Sequence, residues 1–463
     1  MKYISTRGRS EPIKFQDAVM TGLADDGGLL IPQSIPDVSP RLDGWRALSY
    51  PDLALEVMRP FIEDVPEADL RDQIVRSYSK YAFSPDVVVT RAVGDLHILE
   101  LWHGPTLAFK DVALQFLGNL FEYILSRRGG RLNILGATSG DTGSAAIYGV
   151  RGRKGIDIFM MHPHKRVSPI QERQMTTVRD RNVHNIAIRG SFDDCQHIMK
   201  SLAGDLAFKR RYSMGSVNSV NWARVLAQIV YYFKAVFDVQ KATGAARVAV
   251  AVPTGNFGDV LAGWYAMKMG LPMSRLILAT NANDILSVFF NTGLYRRGRA
   301  IQTLSPSMDI QVASNFERYL FYRVGQDHAA LRHLMEGFAR TGELRVDVRP
   351  GKTVDPAFAA GAASEGEVLA TIREYHQQYG YLLDPHTAVG VAVAGRMKTA
   401  GEPVVCLATA HPAKFPKAIL KATGKDIAHH PSIDAMLKLP PAEVPILPND
   451  AEAVRRLIIE TLK

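Results

Sequence analysis

Four short segments of the sequence combine reactive side chains with the backbone settings that such chemistry requires. The first is HGPTLAFKDVALQFLG (103–118), in which Lys110 follows a Gly-Pro loop and sits beside Phe109. Apolar residues at Ala113, Leu114, Leu117, Leu120, Phe121, Ile124 and Leu125 share one helical face. Arg127-Arg128 and Gly129-Gly130 then predict its end, so Lys110 falls in the first turn. A cation is disfavoured at a helix N-terminus. A neutral amine able to form an imine suits the position better.

The second segment, PTGNFGD (253–259), has two glycines straddling Asn256-Phe257 between an apolar strand and a helix. That arrangement predicts a cup of backbone N–H groups for a phosphate. It lacks the Lys-Ser/Thr of a nucleotide-triphosphate loop and the GxGxxG spacing of a dinucleotide fold. The third, GATSGDTG (136–143), offers the Thr138, Ser139 and Thr142 hydroxyls at a helix start, where they could hold a carboxylate or phosphate. The fourth, CLATAHPAKFP (406–416), places Thr409 at the end of an apolar strand, where its hydroxyl could meet a pyridine-type nitrogen. Each segment alone also admits a plain structural reading: an exposed helix lysine, a tight turn, ordinary capping, or a strand-end threonine bonded to backbone.

The elements around these segments alternate. Strands are predicted at Leu132–Leu135, Ile156–Met161, Val183–Ile188, Arg247–Val252, Arg275–Thr280 and Val404–Ala408. Helices are predicted from Ser144, at Asp194–Leu202, Trp222–Lys241, Val260–Met269 and Thr387–Lys398, and after Ser168-Pro169, where Ser168 reads as an N-cap. Apolar strands alternating with helices indicate an α/β protein with mostly parallel sheets. Its ligands belong beyond the carboxyl ends of the strands. At 463 residues two or three domains are expected. The expected division is an N-terminal helical and loop-rich segment (1–95), a large domain (96–125 and 240–463) and a smaller α/β domain (126–239).

Composition narrows the classes. Hydrophobic residues make up 47% and charged residues 22%, which suits a large folded core rather than a disordered chain. No secretory h-region or membrane-length apolar run is visible, and the two cysteines, Cys195 and Cys406, form no zinc pattern; a cytoplasmic setting and no metal are expected. The net charge of +9 is scattered in short patches such as Arg296-Arg297-Gly298-Arg299. No aromatic platform or recognition helix accompanies it, so small anionic substrates are preferred over nucleic acid.

Taken in order, the segments are more specific. With YISTRG (3–8), FQDAVMTGLADDGGLLIP (15–32), RVSPIQERQMTT (166–177), SVNSVNWAR (216–224) and SPSMDIQVASNFER (305–318), the chain resembles the threonine synthases. These are a branch of the fold type II, tryptophan-synthase-like family of pyridoxal 5'-phosphate (PLP) enzymes. The motifs span residues 3 to 416. The resemblance implies that Lys110 carries PLP as a Schiff base and that Gly255, Asn256, Phe257 and Gly258 bind its phosphate. It further implies that Thr409 faces the pyridine nitrogen and that Phe109 packs on the ring. Thr138, Ser139, Gly140, Asp141 and Thr142 would hold the substrate carboxylate, with Asp141 near the cofactor's phenolic oxygen. The implied reaction, the last step of threonine biosynthesis, converts O-phospho-L-homoserine and water to L-threonine and phosphate. Asn218, Ser219, Asn221, Arg224 and the pair Lys165/Arg166 are candidates for the departing phosphate, beside readings as caps or solvated surface. The rival readings are a phospho-lyase yielding 2-oxobutyrate, a hydroxy-amino-acid dehydratase, and a PLP-binding but non-catalytic or basic nucleic-acid-binding protein. Oligomeric state is left open between monomer and homodimer.

Overall fold

The structure is a computed structural model and describes residues 1–138, 140–348 and 352–463. Two sheets organise it. The six-stranded sheet has the order Phe358–Ala362, Met273–Thr280, Val248–Pro253, Val404–Ala408, Leu96–Glu100, Val89–Val93. Its first five strands run parallel and Val89–Val93 closes the edge antiparallel. The five-stranded sheet is parallel throughout, in the order Ile446–Pro448, Val183–Arg189, Ile156–Pro163, Leu132–Ala137, Met214–Gly215. Strand Val248–Pro253 is buried at every residue, as expected of a central parallel strand covered on both faces.

Two parts of the chain lie outside the expected division. Val89–Val93 falls within the segment 1–95 but is a strand of the larger sheet, where it forms a hairpin with Leu96–Glu100. Strand Ile446–Pro448 and helix Ala451–Thr461 belong to the smaller sheet, not to the large unit. The strand pairs with Val183–Arg189, and Val454 and Ile458 bury their side chains with Ile186, Ile198 and Leu202. The apolar face of that last helix finds its cover there.

Helix Trp222–Thr243 joins the two sheets and is buried without interruption from Trp222 to Phe233. It packs on helices Tyr50–Met58, Lys110–Arg128 and Gly258–Lys268. Helices Lys110–Arg128 and Asp141–Val150 approach at backbone distance. A Cβ at Gly118 would overlap the Gly149 carbonyl, and one at Gly149 would lie 2.5 Å from the Leu114 carbonyl. Only glycine permits that crossing, which brings the two helix N-termini to one place.

The N-terminal segment is tied down by charge and hydrogen bonds. Arg7 pairs with Glu317 at 3.0 Å. The fully buried Arg318 donates to the Leu30 carbonyl at 3.0 and 2.9 Å and also reaches the Val220 carbonyl and Asn315. Asn315 in turn donates to the carbonyls of Ser219 (3.1 Å) and Asn256 (3.3 Å). The SNFER stretch thus clamps two site loops against the N-terminal segment.

Candidate active site

One cleft gathers residues from the first turns of five helices: Lys110–Arg128, Asp141–Val150, Trp222–Thr243, Gly258–Lys268 and Pro385–Met397. The positive ends of these helices together favour an anion there. Lys110, Phe109, Asp141, Thr142, Arg224, Gly255, Asn256, Phe257, Gly258 and Thr409 all contribute to its walls. Sequence segments up to 300 residues apart are therefore brought to one place.

Lys110 is positioned by a rigid approach loop. The Asp111 carboxylate accepts from the Thr106 N–H (2.8 Å) and hydroxyl (2.7 Å), folding the loop onto the first helical turn. Gly104 makes room, since a Cβ there would sit 2.5 Å from that of Asp111. The Phe109 N–H donates to the Thr409 carbonyl at 2.9 Å and the His411 N–H to the Leu107 carbonyl at 3.1 Å. Lys110 and Thr409 are thereby fastened side by side. The Lys110 ammonium lies 4.7 Å from the Phe109 ring centroid and 3.7 Å from Asp141 Oδ2. Burial lowers the Lys110 pKa; Asp141 opposes this, while Lys414 and Arg224 add to it. The Thr409 hydroxyl donates to no acceptor among the described residues, and its N–H is held by Thr387 Oγ1 at 3.2 Å.

The loop at 255–257 presents donors. Thr254 donates its N–H to the Ala279 carbonyl at 2.7 Å, but the N–H groups of Gly255, Asn256 and Phe257 have no acceptor among the described residues. Phe257 adopts φ 64°, in the left-handed region. Its ring points away from the cleft, stacked on Phe290 at 5.9 Å and edge-on to Phe316 at 5.4 Å. That aromatic packing holds the unusual backbone, so Phe257 offers its N–H and not its ring.

Arg224 carries the second set of free donors. It is 4% exposed, its Nε and Nη1 are buried without partners among the described residues, and burial brings its pKa down to about 10. An uncompensated buried guanidinium is costly, and an anionic ligand would resolve it. A phosphate-bearing cofactor such as PLP fits two of these features, an amine for covalent attachment and a cup of unbonded N–H groups, and leaves the buried Arg224 cation for a second anion.

The remaining expected residues fall less evenly. Thr142 lines the cleft. The Thr138 hydroxyl accepts from the N–H groups of Gly140 and Gly143, both at 3.0 Å, so it is engaged in turning the chain. Gly140 is buried in the same turn. Ser139 lies outside the described residues. Asn218 is not part of the cleft wall; its side-chain oxygen Oδ1 accepts from the Val220 N–H at 3.2 Å and its side-chain amide donates to the Ser216 hydroxyl at 3.1 Å. Asn221 caps the helix bearing Arg224, accepting from the Ala223 N–H at 3.0 Å.

Several site groups escaped the sequence reading. Asp259 closes the PTGNFGD loop; burial raises its pKa to about 6 against hydrogen bonds from Tyr231 and Tyr232. His386 accepts from the Ser307 N–H at Nε2 (3.2 Å), so its proton sits on Nδ1 toward Asp384, 2.9 Å away. Lys414 lies behind the wall, 2.8 Å from Asp141 Oδ1. An Asp-Pro-His-Thr helix start was the available signal for His386. Lys414 was already inside the fourth segment.

The chain matches known proteins along most of its length. Residues 89–344 match the family model described as pyridoxal-phosphate dependent enzyme. Residues 2–78 match that for the threonine synthase N terminus, and residues 387–458 that for its C-terminal part. The chain is 45% identical to threonine synthase from Methylobacillus glycogenes over 477 aligned positions, covering 99% of this chain and 100% of that protein. The chain belongs to the threonine synthase family. The PLP-bound threonine synthase from Brucella melitensis superposes with a TM-score of 0.94 at 43% identity, covering 100% of this chain and 99% of that one. The yeast threonine synthase structure gives 0.93 at 42% identity, with 100% and 98% covered. The expected family, α/β fold, PLP dependence and threonine synthase activity all stand. No helix among the described residues is long and apolar enough to cross a membrane.

Proposed function

We propose that the cleft around Lys110 converts O-phospho-L-homoserine and water to L-threonine and phosphate, in the cytoplasm, as a PLP-dependent enzyme. The observation that carries the assignment of residues is that one cleft holds a buried amine, three N–H groups and a guanidinium that have no partner among the described residues. Lys110 is assigned to hold the cofactor, Gly255, Asn256, Phe257 and Gly258 its phosphate, Thr409 its ring nitrogen, and Phe109 one face of the ring. Thr138, Ser139, Gly140, Asp141 and Thr142 are assigned to the substrate carboxylate and Arg224 to the departing phosphate, with Asn218 supporting that loop. The larger sheet is read as the cofactor domain and the smaller sheet, now with residues 446–461, as the second domain.

When bound, the cofactor supplies an electron sink that lets protons leave Cα and then Cβ and phosphate leave Cγ. Lys110, favoured as a neutral amine by its burial, takes the Cα proton and returns protons later. The Arg224 guanidinium neutralises charge as it builds on the departing phosphate, a preorganised contact in a dry site. A threonine hydroxyl at the ring nitrogen does not enforce a cation there, as a carboxylate would, which favours elimination and replacement over transamination. The test is to supply phosphohomoserine and measure threonine, phosphate and 2-oxobutyrate in parallel. Threonine and phosphate in equal amounts are expected. 2-Oxobutyrate as the main organic product would overturn the reading in favour of a phospho-lyase.

A further inference from the structure

Lys414 ends the short turn Pro412–Lys414 that follows strand Val404–Ala408, and its side chain is fully buried. Its ammonium donates to Asp141 Oδ1 at 2.8 Å and to the Thr106 carbonyl at 2.7 Å. It does not reach the cleft; Asp141 stands between. Gln171 also donates to Asp141 Oδ1, at 2.8 Å, and the Ser307 hydroxyl lies 3.3 Å from Oδ2. Lys110 approaches Oδ2 only to 3.7 Å, beyond hydrogen-bond length.

One carboxylate thus lies between two lysines and can balance one positive charge. Lys414 has the shorter contact and a second acceptor in Thr106. Lys110 has neither. The charged or titratable groups around Lys110 are Asp141, Lys414, Arg224 on helix Trp222–Thr243, Asp259 on Gly258–Lys268 and His386 on Pro385–Met397. Asp111, next to Lys110 on its own helix, is committed to Thr106. Asp259 Oδ1 is committed to Tyr231 (2.6 Å) and Tyr232 (2.8 Å). His386 accepts from the Ser307 backbone and faces Asp384 with its other nitrogen. Among the described residues Lys110 therefore has no hydrogen-bonded counter-ion, and a buried amine in that position favours its uncharged form.

We propose that Lys414 is a positioning residue for the reaction: by taking Asp141 as its own charge partner, it leaves Lys110 a free amine. Without Lys414, the lysine bordering Asp141 Oδ2 among the described residues is Lys110, and the carboxylate would hold a proton on it. The proposal rests on the reading of Lys110 as the reacting amine, and the experiment separates the two. A merely structural Lys414, pinning the Thr106 loop, would affect stability but not the protonation of Lys110.

The measurement is the pH dependence of Lys110 acetylation in the full-length chain after removal of cofactor, with brief acetic anhydride pulses and mass spectrometry. In the parent, Lys110 should reach half-maximal labelling at lower pH than the exposed lysines. In Lys414→Met the midpoint should rise by about one pH unit or more, the scale of an opposite charge acting at this range. In Asp141→Asn, where Lys414 and Lys110 face each other with no anion between, it should fall. Should the Met variant not fold, Lys414→Gln, which can still donate to the Thr106 carbonyl but carries no charge, decides in its place: a rise supports the proposal and no shift overturns it. An unchanged or lowered midpoint in a folded Lys414→Met protein overturns the proposal but leaves Lys110 as the reactive amine. A parent Lys110 that labels together with exposed lysines removes both.

Discussion

Replacing Arg224 with methionine should make the ligand-free protein more stable while abolishing its response to phosphate. The guanidinium is 4% exposed and unpaired at Nε and Nη1 among the described residues. Burial moves its pKa from the ordinary 12.5 to about 10, with no carboxylate contributing. At about 1.4 kcal/mol per pH unit, that fall corresponds to roughly 3 kcal/mol against the charged form. Below pH 9 the residue is charged in both folded and unfolded chains, so the penalty applies in full at neutral pH. Methionine keeps much of the aliphatic stem and removes the charge. Part of the gain is offset by imperfect packing, which leaves an expected stabilisation of about 1–2 kcal/mol. Urea unfolding of the cofactor-free parent and variant measures this directly. The loaded parent should also gain thermal stability with added inorganic phosphate, and the loaded variant should not, because the anion's partner is gone. A variant less stable than the parent, or one still stabilised by phosphate as the parent is, would refute the assignment of Arg224 as an anion site.

Other perturbations test other walls of the cleft. Gly255→Ala should weaken cofactor affinity roughly tenfold or more in an equilibrium titration, because a Cβ there would lie 2.7 Å from the Ser307 carbonyl and displace the N–H cup; unchanged affinity would count against the cup. Asp259→Asn should alter the pH dependence of stability in the cofactor-free chain. With a folded pKa raised to about 6, Asp259 contributes stability fully below pH 4 and loses it as pH rises to 6. The asparagine variant should lack that decline, by up to about 3 kcal/mol in the parent-minus-variant difference; parallel profiles would contradict the burial effect. Asp111, raised to about 6 by burial, has the same sign but is present in both proteins. L-Homoserine and L-serine should be poor substrates beside phosphohomoserine. Leaving two buried donors unpaired costs roughly 1–3 kcal/mol each, at least a thirtyfold loss in kcat/KM, to which the worse leaving group adds. Comparable efficiency would indicate a dehydratase.

Much of this arrangement was legible in the sequence where chemistry and secondary structure meet. Strand Val404–Ala408 has the expected bounds, and Ser168 caps helix Pro169–Thr176, accepting from the Gln171 N–H. Lys110 begins its helix as expected. In each case a local signal, a Gly-rich turn or a cap, fixes where the side chain emerges. Helix Asp141–Val150 begins three residues before the expected Ser144, because the Thr138 hydroxyl serves the turn itself. Contacts between distant segments were not legible. Nothing near Lys414 signals that its partner is Asp141, and nothing near Arg318 signals that it bonds Leu30. Strand Ile446–Pro448 is three residues long, flanked and ended by proline, and exposed in part. It carries no period-two pattern, and only the neighbouring strand Val183–Arg189 defines it.

Reduction of the loaded protein with borohydride, followed by peptide mass spectrometry, tests the centre of the account most directly. The cofactor should be fixed on Lys110 alone. Lys110→Ala should bind PLP without fixing it, through the 255–258 loop, and form no threonine from phosphohomoserine. Cofactor fixed on any other lysine, or threonine formation retained by Lys110→Ala, would contradict the assignment on which the whole site is built.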